Sequence, residues 1–231
     1  MPSRGCFSGQ CLVATMGDND WYRQKRWGEG QRNSFFERLG RSRTDFNKAQ
    51  YCRIQALHLQ ETGKTDALRG AVELLNRILE QYPDECTQLA SVYLQKAQCC
   101  EDVGRAEEAI ENFRYCIDYQ RQFPKVLTNV ALEFGLFVLK HGFSDLHDEV
   151  LSVLDEFPCD SAFPQQEYDE QVIRAIVFDE RGDHVAAKSH AERAIAACCR
   201  EKSGYHYHSN VGLVEKKDRK LHKRVTTIAN A

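Results

Sequence analysis

Gly63-Lys64-Thr65 is the first run of this chain whose residue types could do chemistry, because a glycine, a lysine and a hydroxyl in that order close a phosphate-binding loop. Such a loop needs another glycine five residues before the Gly-Lys pair and a strand leading into it. His58 holds that position, so the phosphate reading fails on its own spacing. His206 and His208 offer two imidazoles to a metal from a Tyr-His-Tyr-His run. A zinc site takes a third and usually a fourth ligand, and no Cys or carboxylate stands beside them at ligand spacing. The adjacent carboxylates Glu101-Asp102 and Asp179-Glu180 point apart on a helix, which suits them poorly to joint acid–base work. No H-E-x-x-H or G-x-S-x-G run occurs, and Gly28-x-Gly30 lacks the glycine that would complete a dinucleotide fingerprint. The expectation is a non-enzymatic chain with no catalytic residue, no metal site and no cofactor.

The ten cysteines form no C-x-x-C pair, so the usual zinc and redox spacings are missing. Cys52, Cys99, Cys100, Cys116, Cys198 and Cys199 fall within helical patterns and are expected to act as small buried hydrophobes with reduced thiols. No apolar run approaches the roughly 20 residues that cross a bilayer, and Leu12 to Met16 is too short for a secretory core. A cytoplasmic protein without a membrane segment is expected. Met16 is the only methionine besides Met1, and a natural start there is an expectation that an intact mass would test.

The elements that would position any functional surface are helices. In residues 90–120, Tyr93, Ala97 and Cys100 share one helical face, and Ala109, Phe113, Cys116 and Ile117 share another. Gly104 between them can take the positive φ of a tight turn. Helical patterns also run into Gly63, Gly142 and Gly182, so that four turn glycines lie 38 to 41 residues apart. Seven residues before each stands a small side chain (Ala56, Ala97, Gly135, Ala175), which lets two helices approach closely. Four residues before each stands an apolar one (Leu59, Cys100, Val138, Phe178). In the following helices the matching positions are Ala109, Phe113 and Cys116; His147, Leu151 and Leu154; and Ala187, Ala191 and Ala194. After Gly63 a turn three residues longer is expected, with Ala71, Leu75 and Ile78 taking over. Pro83, Pro124 and Pro158 each stop a second helix.

This pattern resembles the tetratricopeptide repeat, whose units pair a small residue and an aromatic in one helix with A-x-x-x-F-x-x-A in the next. Residues 90–120 carry the resemblance best, and it covers about residues 46–200. It implies an all-α, right-handed solenoid of four antiparallel hairpins, at about 46–84, 86–124, 125–158 and 166–202, within a repeat region 46–203. Around it, residues 1–19 read as a disordered tail and 20–45 as an N-terminal capping helix. The cap has Phe35, Phe36 and Leu39 on one face and Asn33 or Ser34 as N-cap. Residues 204–231 read as a loop and a C-terminal amphipathic capping helix, with Val214, Leu221, Val225 and Ile228 on its apolar face. Lys216, Arg219, Lys220 and Lys223 face the other way.

In the family that the pattern resembles, the first helices line a concave groove. Carried over, this gives Arg53, Leu57, Leu94, Gln98, Glu101, Asp102, Leu132, Leu136, Leu139, Lys140, Val172, Ile176 and Asp179 as partner-binding residues, with Asp169 and Glu180 beside them. The groove would have an apolar floor and an acidic rim. Only Arg53 and Lys140 are basic there, which disfavours capture of a partner's terminal carboxylate. A peptide or helix of a protein partner fits better.

Net charge is +5 over residues 1–60, −12 over 61–175 and +4 over 176–231. An acidic middle suits a basic partner, so an inhibitor or sensor that sequesters a basic toxin, enzyme or regulatory peptide is one alternative. Nucleic-acid binding through the basic terminal segments is a lesser one. A blander alternative is that the chain's own ends fill the groove.

Overall fold

The computed structural model describes residues 21–160, 162–205 and 207–231. The expected disordered tail 1–19 and the imidazole of His206 lie outside the described residues. Among the described residues the fold is all-helical, with ten α-helices and no strand. The helices are α1 (Glu29–Gly40), α2 (Asp45–Gln60), α3 (Thr65–Gln81), α4 (Cys86–Asp102) and α5 (Ala106–Gln122), then α6 (Val130–His141), α7 (His147–Glu156), α8 (Pro164–Glu180), α9 (His184–Cys198) and α10 (Arg219–Ala229). None is long and apolar enough to cross a membrane.

Local chemistry explains the boundaries. Thr44, Asp183 and Asp218 cap α2, α9 and α10 by accepting backbone N–H groups of the first turn, which satisfies donors that a helix start leaves open. Pro164 opens α8, where a missing N–H costs nothing. α3, α5 and α7 each end two residues before the prolines at 83, 124 and 158. Gly63, Gly104, Gly142 and Gly182 all have positive φ. At the last three turns the residue after the glycine donates its N–H to the carbonyl five residues back: Arg105 to Cys100, Phe143 to Val138 and Asp183 to Phe178. That is the Schellman closure of a helix end. The turn after Gly63 is no longer than the others, since α3 starts at Thr65, two residues on. The longer turn expected there is corrected: the helix begins at the common offset, and only its buried stripe (Leu68, Ala71, Leu74, Leu75, Ile78) differs.

The chain divides into two compact units, one up to Ala109 and one from Ile110. In the first, α2 packs on α3, and α3 and α2 on α4. Ahead of them, Trp21 lies 5.3 Å from Phe35 and 5.0 Å from Tyr51, ring centre to centre. Gln55 is fully buried on α2. It accepts from the backbone N–H of Gln24 at 2.9 Å and donates to its carbonyl at 2.7 Å, which pins residues before α1 to the core. The helix start expected at Asn33 or Ser34 is corrected, because α1 begins at Glu29 with Gly28 as its N-cap.

In the second unit α6 pairs with α7, α8 with α9, and α6 lies beside α8. Ala175, Ala187, Ala191 and Ala194 are fully buried where α8 meets α9. Gly135 of α6 faces Ile173 of α8, where an added Cβ would stand 2.7 Å from its Cδ1. α10 lays Leu221, Val225 and Ile228 on the same cluster as Val172 and Ile176. Cys52, Cys99, Cys100 and Cys116 are buried, and the eight described cysteines are outside disulfides. Burial pushes the Cys52 and Cys99 thiols up to about 12. Cys199 is exposed at the end of α9, which corrects its place among the buried thiols.

Candidate functional site

The thirteen expected groove residues divide between the units. In the first, α2 and α4 are neighbours linked by two polar bridges. Arg53 Nε donates to Gln88 Oε1 at 3.0 Å, and Gln60 Nε2 donates to Asp102 Oδ2 at 3.3 Å. Burial lowers the Arg53 guanidinium from its ordinary value. Leu57 is 41% exposed, while Leu94, Gln98 and Glu101 are half-buried. Arg53, Leu57, Leu94, Gln98, Glu101 and Asp102 thus lie on a pair of helices that the structure does bring side by side.

In the second unit the floor is less open than expected. Leu132 is 7% exposed, Val172 1% and Ile176 fully buried, so these three are chiefly packing. For Val172 and Ile176 the physical reason is α10, whose apolar face belongs to the same buried cluster. Leu136 and Leu139 remain partly buried beside that cluster, and Lys140 is exposed. Asp179 is engaged: Arg224 of α10 donates to it at 3.1 Å and also bonds Glu180. α10, near the C-terminal end of the described residues, packs on the part of α8 that carries Val172, Ile176 and Asp179.

What stays open is a cleft of about 800 Å³ between α6, α8 and the segment 210–218. Leu132, Leu136, Tyr168 and Val172 give it an apolar base, and Lys140, Asp169 and Glu133 stand among its polar lining. Gln165, on the first turn of α8, builds the wall. Its Oε1 accepts from the backbone N–H groups of Glu215 (3.1 Å) and Lys216 (3.2 Å), and its Nε2 donates to the Lys216 carbonyl (3.0 Å). Gly212 has φ +75°, and an added Cβ would lie 3.1 Å from the Phe163 Cβ. Only glycine fits a turn so close to another side chain. The Gly212 carbonyl accepts from the Gln165 N–H at 2.8 Å.

Asp169 is the polar centre of the cleft. Both its oxygens accept from Gln165 Nε2 at 3.1 Å. Burial pushes its carboxyl up to about 7, the Gln165 hydrogen bond pulls the other way, Glu133 adds to the rise and Lys140 offsets part of it. A carboxylate held by an amide, in surroundings that disfavour its charge, keeps its proton to a higher pH than an exposed one.

No protein-family model, curated protein or solved structure matches the chain. The arrangement of its own side chains therefore carries the functional reading.

Several polar groups of the second unit find local partners. The Tyr168 hydroxyl lies 3.0 Å from His222 Nδ1, and His190 Nδ1 lies 2.7 Å from Gln171 Oε1 with its ring stacked on Phe178. His147, the first of the positions expected to face inward in the helix after Gly142, is 6% exposed, and burial lowers its pKa. The first turn of α7 places it in the core. Among the described residues no group of three or more His, Cys, Asp or Glu stands together as metal ligands. Sequence reasoning placed Asp169 inward but missed the 210–218 wall, whose signal was faint: a glycine at 212 inside a loop of mixed composition.

Proposed function

We propose that this chain is a non-enzymatic protein-interaction module of tetratricopeptide-like helical hairpins, and that the second unit takes a peptide or helix of a protein partner in the cleft between α6 and α8. Solenoid stacking of the hairpins is part of that reading. The observation that carries it is the cleft itself: about 800 Å³, apolar at its base, with Asp169 and Lys140 in its lining. Such a combination suits a ligand anchored by apolar contact and oriented by a few polar groups. The turn glycines, the small residues at helix crossings and the α2–α4 and α6–α8 neighbours support the repeat reading. Sequestration of a basic partner is a form of the same function.

Affinity capture with the full chain, followed by mass spectrometry, tests it when wild type is compared with Leu136→Glu. Proteins captured by wild type and lost with the folded variant support the cleft, and identical captures count against it. A second reading is a nucleic-acid contact through Arg219, Lys220 and Lys223, which are exposed on α10. Binding of mixed RNA or DNA that weakens steeply with salt would favour it.

A further inference from the structure

The cleft of the second unit has one feature that names the chemistry of its occupant. Asp169 lies in its lining together with Leu136, Val211 and Leu213. Val211 is 51% exposed and Leu136 half-buried, so apolar surface is available within the cleft that holds the carboxylate. The two Asp169 oxygens share one amide group, that of Gln165. That amide is itself fixed by Lys216, so it is not free to turn and give Asp169 a second donor.

A carboxylate in such a place is poorly compensated. An amide hydrogen bond offers a partial charge, whereas the desolvated carboxylate is best stabilised by a full positive charge at hydrogen-bond distance. The upward shift of its pKa is the same fact seen from the proton's side. Around it stand Glu133 and Lys140 of α6, and Glu215, Lys216, Lys217 and Asp218 of the wall. With Asp169 ionised, as a bound cation would hold it, the four carboxylates and three lysines of the lining leave the cleft one negative charge in excess. A cation entering here gains the Asp169 carboxylate in a setting of reduced dielectric, where charge-assisted hydrogen bonds are strongest.

Resting on the reading of this cleft as a peptide site, we infer that Asp169 anchors a lysine or arginine of the bound peptide while a neighbouring aliphatic residue of that peptide covers Leu136 and Val211. The partner is thus a segment with a basic residue beside a Leu-, Ile- or Val-like one, in place of an acidic tail. The volume suits several residues, since sites of roughly 300–1,000 Å³ enclose ligands larger than one side chain.

Selection from a random dodecapeptide phage library on the purified full-length chain tests this, run in parallel with Asp169→Asn. Asparagine keeps an oxygen that accepts from Gln165, and melting of both proteins confirms that they are folded. An Asp169→Ser chain is the second variant should asparagine fail to fold. The expected result is enrichment of Lys or Arg next to an aliphatic residue with wild type, and loss of the basic preference with the variant. A synthetic peptide so selected should bind the variant about 10- to 100-fold more weakly by fluorescence anisotropy. Selected peptides without a basic residue, or the same basic preference with both variants, overturn the role of Asp169 and leave the peptide site standing. Failure of wild type to enrich any peptide overturns the peptide site and the anchor together. Competition by lysine amide as effective as by the selected peptide overturns the peptide as the source of the cation.

Discussion

Gly70 sits in the middle of α3, where glycine normally weakens a helix, and replacing it with alanine should make this protein less stable. An added Cβ at Gly70 would stand 2.7 Å from Cγ and 2.8 Å from Nε1 of Trp27, and closer still to Cδ1. In an exposed helix interior the change Gly→Ala stabilises by about 1 kcal/mol. Here the indole must move. It leaves its edge contacts with Phe35 (5.4 Å) and Phe36 (6.1 Å), worth about 0.5–1.5 kcal/mol each, and repacking of an overfilled site costs about 1–3 kcal/mol. The net expectation is a loss of about 1–5 kcal/mol, or a melting temperature lower by about 2–20 °C for a chain of this size. Gly30→Ala is the matched control, because a Cβ there meets nothing within 4 Å, and it should leave the melting temperature unchanged or raise it. Calorimetry gives the two shifts, and tryptophan emission in a Trp21→Phe background reports on Trp27 alone, the chain having two tryptophans. A Gly70→Ala protein that melts as high as Gly30→Ala, with unchanged emission, would refute the close approach of Trp27 to α3.

Four further outcomes are expected. The Asp169 carboxyl, raised to about 7, favours its neutral form in the folded state. Its contribution to stability is complete below the ordinary carboxylate range and is lost as pH rises through about 7. Asp169→Asn should therefore match wild type near pH 4 and exceed it at pH 8 by about 1–2 kcal/mol, discounted for partial solvent screening; equal stability at pH 8 would contradict this. The pKa values of His147 and His190 are lowered chiefly by burial, so they withdraw stability in the opposite direction, as pH falls through 6.5. His147→Gln should flatten the acid side of a melting-versus-pH curve. Leu132→Glu should cost more than about 3 kcal/mol in urea unfolding, since it buries a charge, whereas Leu136→Glu should cost much less and spoil ligand capture. Val225→Ala should lose about 2 kcal/mol and speed hydrogen exchange in α10; unchanged exchange would mean that α10 is not held by its apolar face.

Much of the framework was legible because it is written in local chemistry. Positive φ at a turn needs glycine, and a proline two residues past a helix end forbids continuation, so Gly104, Gly142, Gly182 and the three prolines mark their turns without any tertiary knowledge. Leu221, Val225 and Ile228 likewise read as one face. The misread places are those where a neighbour decided. Gly63 suggested a longer turn because the stripe of α3 is offset, yet the helix starts on time. Asn33 and Ser34 are good caps in isolation, but α1 had already begun at Glu29.

Sequence by itself therefore determined the helices, their turns and the small residues at their crossings, since backbone conformation and helical periodicity act within a few residues. Only the tertiary structure decided which faces stay available. Val172 and Ile176 have the same side chains whether bare or covered, and it is the docking of α10, some 45 residues further along, that buries them. Gln24 and Gln55, Trp27 and Gly70, and Gln165 with the wall at 215–216 are long-range pairs, fixed by packing and by the need of buried polar groups for partners. Asp169 acquires its character in the same way. A carboxylate on a helix is ordinary until a distant segment packs beside it and reduces its contact with water.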